Sequence, residues 1–221
     1  MNWEQLRSIK KPIVLYGMGN GADRILDALA RYGITASGVF ASDAFARGQR
    51  FRGFPVLRYD EAKARFGDML VLLAFGTGDP AVMAQIDAIA REQELYAPDF
   101  PVVGDTPFDR QFYERHRTEL ETVHAQLADE QSRRVLRSVI DYKLSWDLPK
   151  LRACETDIDE AYAELLRLAP GETLVDLGAY KGDTVQEFVR RCPDYRAIYA
   201  VEPDAYSFRR LLASVQGLRD C

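Results

Sequence analysis

Short apolar runs alternate with amphipathic segments through the first hundred residues. The run Ile13–Tyr16 is apolar throughout, and glycines and then a segment with apolar residues at helical spacing follow it. A second apolar run at 36–41 completes a predicted βαβ unit. Further strands are predicted at 54–57 and 69–75, and a helix over about 80–93. Uniformly apolar strands separated by helices indicate a parallel sheet that is covered on both faces.

The pattern changes to charged, amphipathic helix between 108 and 148 and then returns to strands. Two helices parted near 128–132 are predicted there, followed by a third from about Asp157 to the Pro170-Gly171 pair. A strand at Thr173–Leu177, a helix, and a strand at 197–202 form a second βαβ unit. The last predicted helix directs four apolar residues inward, namely Phe208, Leu211, Leu212 and Val215.

We therefore predict an α/β chain with two Rossmann-like βαβ domains joined by a helical segment, the second domain being incomplete. The predicted bounds are 1–105 for the Rossmann-like N-terminal domain, 106–170 for the helical connector and 171–221 for the second βαβ domain. No internal repeat of solenoid length is evident.

Composition excludes several classes of function. The formal net charge is −5, with 29 Lys and Arg dispersed among 34 Asp and Glu, which argues against nucleic-acid binding. No apolar run approaches the roughly 18 residues of a membrane span, and the first residues do not resemble a signal peptide, so we expect a cytoplasmic protein. The three cysteines and two histidines are spaced too widely to predict a disulfide framework or a metal site.

The stretch LVDLGAYKGDTVQEF, which connects a predicted strand to a predicted helix, contains the most candidate ligand-binding residues. Gly178 and Gly182 would let a ligand approach the backbone, whereas Asp176 and Asp183 disfavour a pyrophosphate and suit a ligand with a positive centre. Glu202 follows the next strand, about 20 residues later, where an acid can accept both hydrogen bonds from a ribose diol. S-adenosylmethionine fits this combination better than NAD does.

These residues resemble a known family. LVDLGAYKGDT followed by YAVEPD resembles the FkbM family of S-adenosylmethionine-dependent methyltransferases, and LADEQSRRVLRSVIDYKL and DIDEAY resemble the helical segment that precedes these motifs in longer members. The resemblance covers roughly 127–221. It implies a class I methyltransferase fold, with 171–221 as part of that domain, and O-methylation of a sugar or natural-product hydroxyl on a small-molecule acceptor.

The resemblance also implies residue roles. It places Glu202 on the ribose, Asp204 near the adenine edge, and the predicted helix start, Asp183 and Thr184, within the same cofactor site. The methionine part would be surrounded by Asp176, Gly178, Ala179, Tyr180 and Gly182. No residue is identified as catalytic, and none identifies the acceptor. The alternative interpretation is that the glycines only allow a tight turn and that Asp183 or Thr184 only caps the helix.

The predicted methyltransferase domain departs from the family in size. About 50 residues hold two strands, whereas a class I methyltransferase sheet has about seven, and an open sheet of two strands leaves an edge uncovered. We expect the chain to be part of a longer enzyme and to be inactive alone. Alternatively, a second subunit could complete the sheet, which would make the protein a homo-oligomer.

Another glycine turn, YGMGNGA, follows the first predicted strand; we call it the first glycine turn, and the turn within LVDLGAYKGDTVQEF the second glycine turn. It matches G-x-G-x-x-A in the context of a dinucleotide fingerprint, but Asp43 lies slightly later than the about 20 residues typical of a ribose-binding acid. This turn resembles the N-terminal nucleotide-sugar or NAD-like domains of sugar-modifying enzymes. The second possible ligand site comprises Gly17, Gly19, Gly21, Asp43 and Gly76. The plain alternative is a scaffold whose glycines serve only packing.

Two other functions stay open for the whole chain. An NAD-dependent oxidoreductase or nucleotide-sugar-binding protein would use the first glycine turn, although no histidine lies near it and no catalytic Tyr-x-x-x-Lys is evident next to it in the sequence. A non-catalytic assembly module would use the charged helices at 108–148 as a partner surface.

Overall fold

The computed structural model describes residues 1–101, 104 and 106–221. By their contacts these residues form two compact units, Met1–Glu155 and Thr156–Cys221. The helices of the predicted connector as far as Arg152 fall in the first unit. The predicted boundary at 105 lies outside the described residues, and the division into three domains stays a prediction.

The first unit is built on a mostly parallel sheet with the strand order β3-β4-β2-β1-β5-β6, in which only the β3–β4 pair is antiparallel. Its strands are β1 Ile13–Tyr16, β2 Gly38–Phe40, β3 Arg50–Phe51, β4 Phe54–Leu57, β5 Leu70–Leu73 and β6 Glu94–Tyr96. Its helices are α1 Trp3–Leu6, α2 Asn20–Arg31, α3 Tyr59–Phe66, α4 Pro80–Glu92, α5 Arg110–Arg115, α6 Arg117–Gln126, α7 Glu130–Ser145 and α8 Leu148–Arg152.

The two central strands, β1 and β5, are buried along their whole length. Alternate residues point to opposite faces, so Leu15 and Leu72 belong to one apolar cluster whereas Val14 and Val71 belong to another. The predicted parallel sheet with both faces covered is therefore confirmed for this unit.

Two strands, the three helices α1, α3 and α8, and one helix break were not predicted. β3 and β6 are short edge strands, and β6 is only half-buried, so neither carries the apolar run that marks a central strand. The first predicted connector helix is divided at His116, which ends α5 and precedes α6. The predicted break near 128–132 is confirmed, because α7 begins at Glu130 after the N-cap Asp129.

The second unit contains a two-stranded parallel sheet flanked by helices. Its elements are α9 Ile158–Glu160, a π-helical turn Ala161–Leu166, β7 Thr173–Leu177, α10 Asp183–Arg191, β8 Ala197–Val201 and α11 Ala205–Val215. Val185 and Phe188 of α10 pack with Ile198 of β8 in its apolar cluster. The βαβ connectivity predicted for this part of the chain is confirmed.

The predicted inward face of α11 is partly wrong. Leu211 is buried, but Phe208 and Leu212 are exposed. The buried side of the helix is narrow: Ser207 and Leu211 are buried one turn apart, and the half-buried Val215, predicted to point inward, does pack against the cluster around Phe188. Phe208 and Leu212 lie beside this narrow side and do not reach the cluster around Phe188.

None of the described helices is both long enough and apolar enough to span a lipid bilayer.

Candidate functional site

The second glycine turn begins where β7 and β8 end side by side. Leu177 pairs with Val201, and the Val201 carbonyl accepts hydrogen bonds from the N–H groups of Gly178, at 2.8 Å, and Ala179, at 3.0 Å. Gly178 has a φ of +101°, and a Cβ placed on it would meet nothing within 4 Å. The backbone at Gly178 is therefore left-handed and open, as a ligand approach requires.

A single carboxylate joins this turn to the turn after β8. Glu202 Oε2 accepts a hydrogen bond of 2.7 Å from the Tyr180 N–H, and Oε1 accepts one of 2.8 Å from the Asp204 N–H. Tyr180 adopts a φ of +49°, which is uncommon for a residue with a side chain. A carboxylate oxygen can accept two hydrogen bonds, so each Glu202 oxygen keeps a free acceptor position.

Gly182 closes the turn and starts α10. Its φ is +88°, and a Cβ there would lie 3.0 Å from both Leu211 Cδ1 and Ser214 Oγ, so this glycine allows α11 to pack closely against the turn. Among the residues that the structure describes, no side chain caps the N-terminus of α10. The interpretation that Asp183 or Thr184 serves as the helix cap is therefore wrong, since both are exposed residues of the first turn of the helix.

The carboxylate of Asp176 is the feature of this unit that most directly suggests a ligand. Its Oδ2 is buried and has no hydrogen-bond partner among the described residues. Buried side-chain oxygens nearly always have a donor, and an unpaired one costs about 1–3 kcal/mol. Asp176 lies two residues before the open Gly178, near the carboxyl end of β7. A donor such as an ammonium or hydroxyl group would satisfy this oxygen, so the residues fit an amino-acid ligand at this turn.

Asp204 and Ala179 have structural roles in this structure. Asp204 Oδ2 caps α11 by accepting a 2.7 Å hydrogen bond from the Ser207 N–H, which lowers the pKa of the Asp204 carboxyl. The side chain of Ala179 is buried. The structure thus brings Gly178, Tyr180, Glu202 and Asp204 to one edge of the two-stranded sheet.

The first glycine turn lies beside a cavity of about 500 Å³ at the carboxyl edge of the larger sheet. Gly17, Gly19 and Gly76 line it, whereas Gly21 and Asp43 do not. A Cβ on Gly21 would lie 2.0 Å from the Ala74 carbonyl oxygen, so Gly21 allows α2 to approach the end of β5. For Gly21, the packing interpretation of the glycines is supported.

Sequence reasoning missed several side chains that line this cavity. Tyr16, Ser42, Phe45 and Phe75 line it together with the glycines. Position in the chain could have indicated three of them: Tyr16 ends β1, Ser42 follows the end of β2, and Phe75 follows the end of β5. The described residues contain no cluster of three or more side chains able to hold a metal ion.

Comparisons with known proteins support the fold. No protein-family model and no curated protein matches the chain. A crystal structure of methyltransferase FkbM from Methylobacillus flagellatus KT at 2.20 Å resolution matches with a TM-score of 0.61 and 17% sequence identity. The match covers 96% of this chain and 61% of that chain. At this identity the likeness shows a shared mixed α/β fold of the kind found in a methyltransferase, and the chain spans less than two-thirds of that neighbour's length.

Proposed function

We propose that the second unit is the methyl-donor-binding part of an S-adenosylmethionine-dependent methyltransferase that methylates a hydroxyl group of a sugar or natural product. The observation that carries this proposal is the buried Oδ2 of Asp176, which has no hydrogen-bond partner among the described residues and lies two residues before the open backbone of Gly178. The fold shared with a methyltransferase supports it, as do the two motifs of the sequence. We call the residues Asp176, Gly178, Tyr180, Gly182 and Glu202 the donor site.

Three residues of the donor site have distinct tasks in this proposal. Asp176 would accept a hydrogen bond from the ammonium group of the donor, and the free acceptor positions of Glu202 would take the two ribose hydroxyls. Gly178 leaves room for the ligand at the backbone. Ala179, Asp183, Thr184 and Asp204 would border the ligand through their backbone or first-turn positions.

When bound, S-adenosylmethionine supplies an electrophilic methyl group on a sulfonium centre. The contribution of this chain is to orient that centre through the two carboxylates, so that an acceptor oxygen held in line with it reacts at high effective concentration. Because the Glu202 carboxylate is already held by two backbone N–H groups, it is oriented before any ligand arrives.

Binding of the product S-adenosylhomocysteine to the purified chain tests the proposal, because it needs no acceptor. By titration calorimetry we expect binding to the unmodified chain and a loss of affinity of about tenfold or more in Asp176→Asn, since a neutral amide attracts an ammonium group less. Asp194→Asn is the matched control, because Asp194 is an exposed acid of the same unit.

Thermal unfolding of the same variants separates a ligand-binding role from a structural one. If the Asp176 oxygen is held unpaired for a ligand, Asp176→Asn should leave the melting temperature unchanged or raise it. Absence of any heat with the unmodified chain, or equal affinity in Asp176→Asn and Asp194→Asn, would contradict the proposal.

A further inference from the structure

The cavity of the first unit lies at the topological switch point of its sheet. β1 is flanked by β2 on one side and β5 on the other, so the chain leaves the carboxyl ends of β1 and β5 in opposite directions. In open α/β sheets, ligands bind in the crevice outside the carboxyl ends of the strands at this point. The cavity occupies that crevice, since Tyr16 and Gly17 form one side and Phe75 and Gly76 another. We call it the switch-point cavity.

The walls of the switch-point cavity are mainly apolar and partly aromatic. Met18, Ala41 and Val82 line it together with two phenylalanines, Phe45 and Phe75. Phe45 is 58% exposed, although it follows a sheet whose other aromatic residues are buried or half-buried. The volume of about 500 Å³ is within the range of small-molecule sites. A planar ring is the ligand part that gains most from aromatic walls.

A short hydrogen-bond chain presents one acceptor to the cavity. The Tyr16 hydroxyl donates to Gln85 Oε1 at 3.2 Å and lies 2.7 Å from Ser42 Oγ. Either hydroxyl of this pair can be the donor; when the Tyr16 proton is on Gln85, Ser42 donates its own proton to the Tyr16 oxygen. Ser42 Oγ then keeps its lone pairs for a ligand. Burial raises the pKa of Tyr16, so its hydroxyl keeps its proton at neutral pH.

The charges around the cavity disfavour phosphate groups. Among its described lining residues there is no Lys or Arg, and the one ionised group is the carboxylate of Asp79. Asp79 accepts hydrogen bonds from the Ala81 and Val82 N–H groups as the N-cap of α4. Asp43 also lies close enough to raise the pKa of Tyr16. Two acids without a lining base would repel the anionic part of a nucleotide.

We propose that the switch-point cavity binds an uncharged nucleoside, with its planar base against Phe45 and Phe75 and a hydroxyl or amino group donating to Ser42. This differs from the NAD or nucleotide-sugar ligand that the glycine turn predicts, because those ligands carry phosphates. It does not depend on the donor site, which belongs to the other unit.

A pair of glycine variants tests the proposal without changing the fold. Gly19 lines the cavity, its φ of −117° suits any residue, and a Cβ there meets nothing within 4 Å. Gly19→Leu should therefore fold and fill the cavity. Gly78→Leu is the matched control, since Gly78 is equally open at the same sheet edge but does not line the cavity.

The measurement is calorimetric titration with adenosine, guanosine and uridine, performed with saturating S-adenosylhomocysteine so that the donor site does not contribute. We expect at least one nucleoside to bind to the unmodified chain and to Gly78→Leu, and to bind Gly19→Leu at least about tenfold more weakly. The corresponding 5′-monophosphate should bind more weakly than the nucleoside.

Three results would overturn the proposal: no nucleoside binds, Gly19→Leu binds as well as Gly78→Leu, or the monophosphate binds more tightly than the nucleoside. If Gly19→Leu fails to fold, Ser42→Ala replaces it, and an unchanged affinity in that variant counts against the proposal. Failure of S-adenosylhomocysteine to bind would contradict the proposed function alone, because the glycine pair reports on the first unit.

Discussion

Tyr180 is the residue whose backbone shows most directly how the donor site is built. Its φ of +49° costs energy, of the order of 1 kcal/mol, which a glycine would not require. This conformation directs its N–H to Glu202 while its side chain remains half-exposed. A strained backbone conformation persists where neighbouring groups stabilise it. Here the Glu202 carboxylate does so by accepting the hydrogen bond from the Tyr180 N–H.

Replacement of Glu202 by glutamine tests this role at a single atom. In Glu202→Gln one oxygen becomes an NH2 group, which cannot accept from Tyr180 or Asp204. We expect faster hydrogen exchange at one or both of these amides, and an affinity for S-adenosylhomocysteine reduced by about tenfold or more. Glu172→Gln, at the amino end of β7, is the control. Unchanged exchange at both amides would show that Glu202 does not hold the turns together.

Two effects oppose a side chain at Gly182, namely its left-handed backbone and its close contact with α11. A second glycine variant separates their contributions to stability. Gly182→Ala should destabilise the second unit by about 2 kcal/mol or more, because both strain and contact with Leu211 and Ser214 oppose the methyl group. Gly217→Ala shares the strain, at a φ of +90°, but meets nothing within 4 Å. Its cost should be about 1 kcal/mol. Denaturant unfolding measures both, and equal losses would exclude a packing role for Gly182.

At the scale of elements, α10 carries a carboxylate whose charge is important for its last turn. Glu187 accepts hydrogen bonds from Arg190 and Arg191, and these lower the pKa of Glu187 to about 2. Arg191 also pairs with Asp159 of α9. The ion pairs therefore connect α10 with the helical segment that precedes β7 within the second unit.

The low pKa of Glu187 predicts how the stability of this unit depends on pH. The folded pKa lies below the ordinary value of 4.5, so the stabilisation is fully present above about pH 4.5 and is lost as the pH falls towards 2. The melting temperatures of the unmodified chain and of Glu187→Gln should differ at pH 6 and converge near pH 2. Glu164→Gln, which removes an exposed acid of the π-helical turn, should show no such convergence. A difference in melting temperature that stays constant from pH 6 to pH 2 would contradict the stabilising role assigned to the ionised Glu187.

Elements differ in how far the sequence could predict them. β1 and β5 were predictable because both are buried on two faces and therefore apolar throughout. β6 was not predictable, because a half-buried edge strand does not need a continuous run of apolar residues. The buried face of α11 was mispredicted because the spacing of apolar residues shows only which residues could be buried. Which of them are buried depends on the surface against which the helix packs. The donor-site residues were predictable as types, but the bridging contacts of Glu202 depend on the turn geometry.

At the scale of the whole molecule, the second unit leaves one face of its sheet uncovered. Val175 and Tyr199 pair across the strands, as do Leu177 and Val201, and all four side chains are exposed. We call these four residues the open face. An apolar patch of this kind commonly marks a surface that another protein segment covers. We propose that a second copy of the chain can cover it, which corresponds to the alternative in which a second subunit completes the sheet.

A charged substitution on the open face tests this. Leu177 is 78% exposed, so Leu177→Lys should change the free energy of unfolding by no more than about 0.5 kcal/mol. It should reduce concentration-dependent association in sedimentation velocity, together with the fluorescence of a bound hydrophobic dye. Leu165→Lys is the control, because Leu165 is 80% exposed outside this face. Equal association in both variants would exclude the open face as the contact surface.

The approach of α2 to the Ala74 carbonyl has a consequence for how this chain can change over evolution. Any side chain at Gly21 would have to share space with that oxygen, whereas Gly19 meets no neighbour. Related chains that have lost or altered a ligand of the first unit could therefore vary at Gly19 while still keeping Gly21. A glycine kept at position 21 would therefore indicate only that the fold is the same. Of these two positions, the residue at 19 is the one whose variation would reflect what the cavity binds.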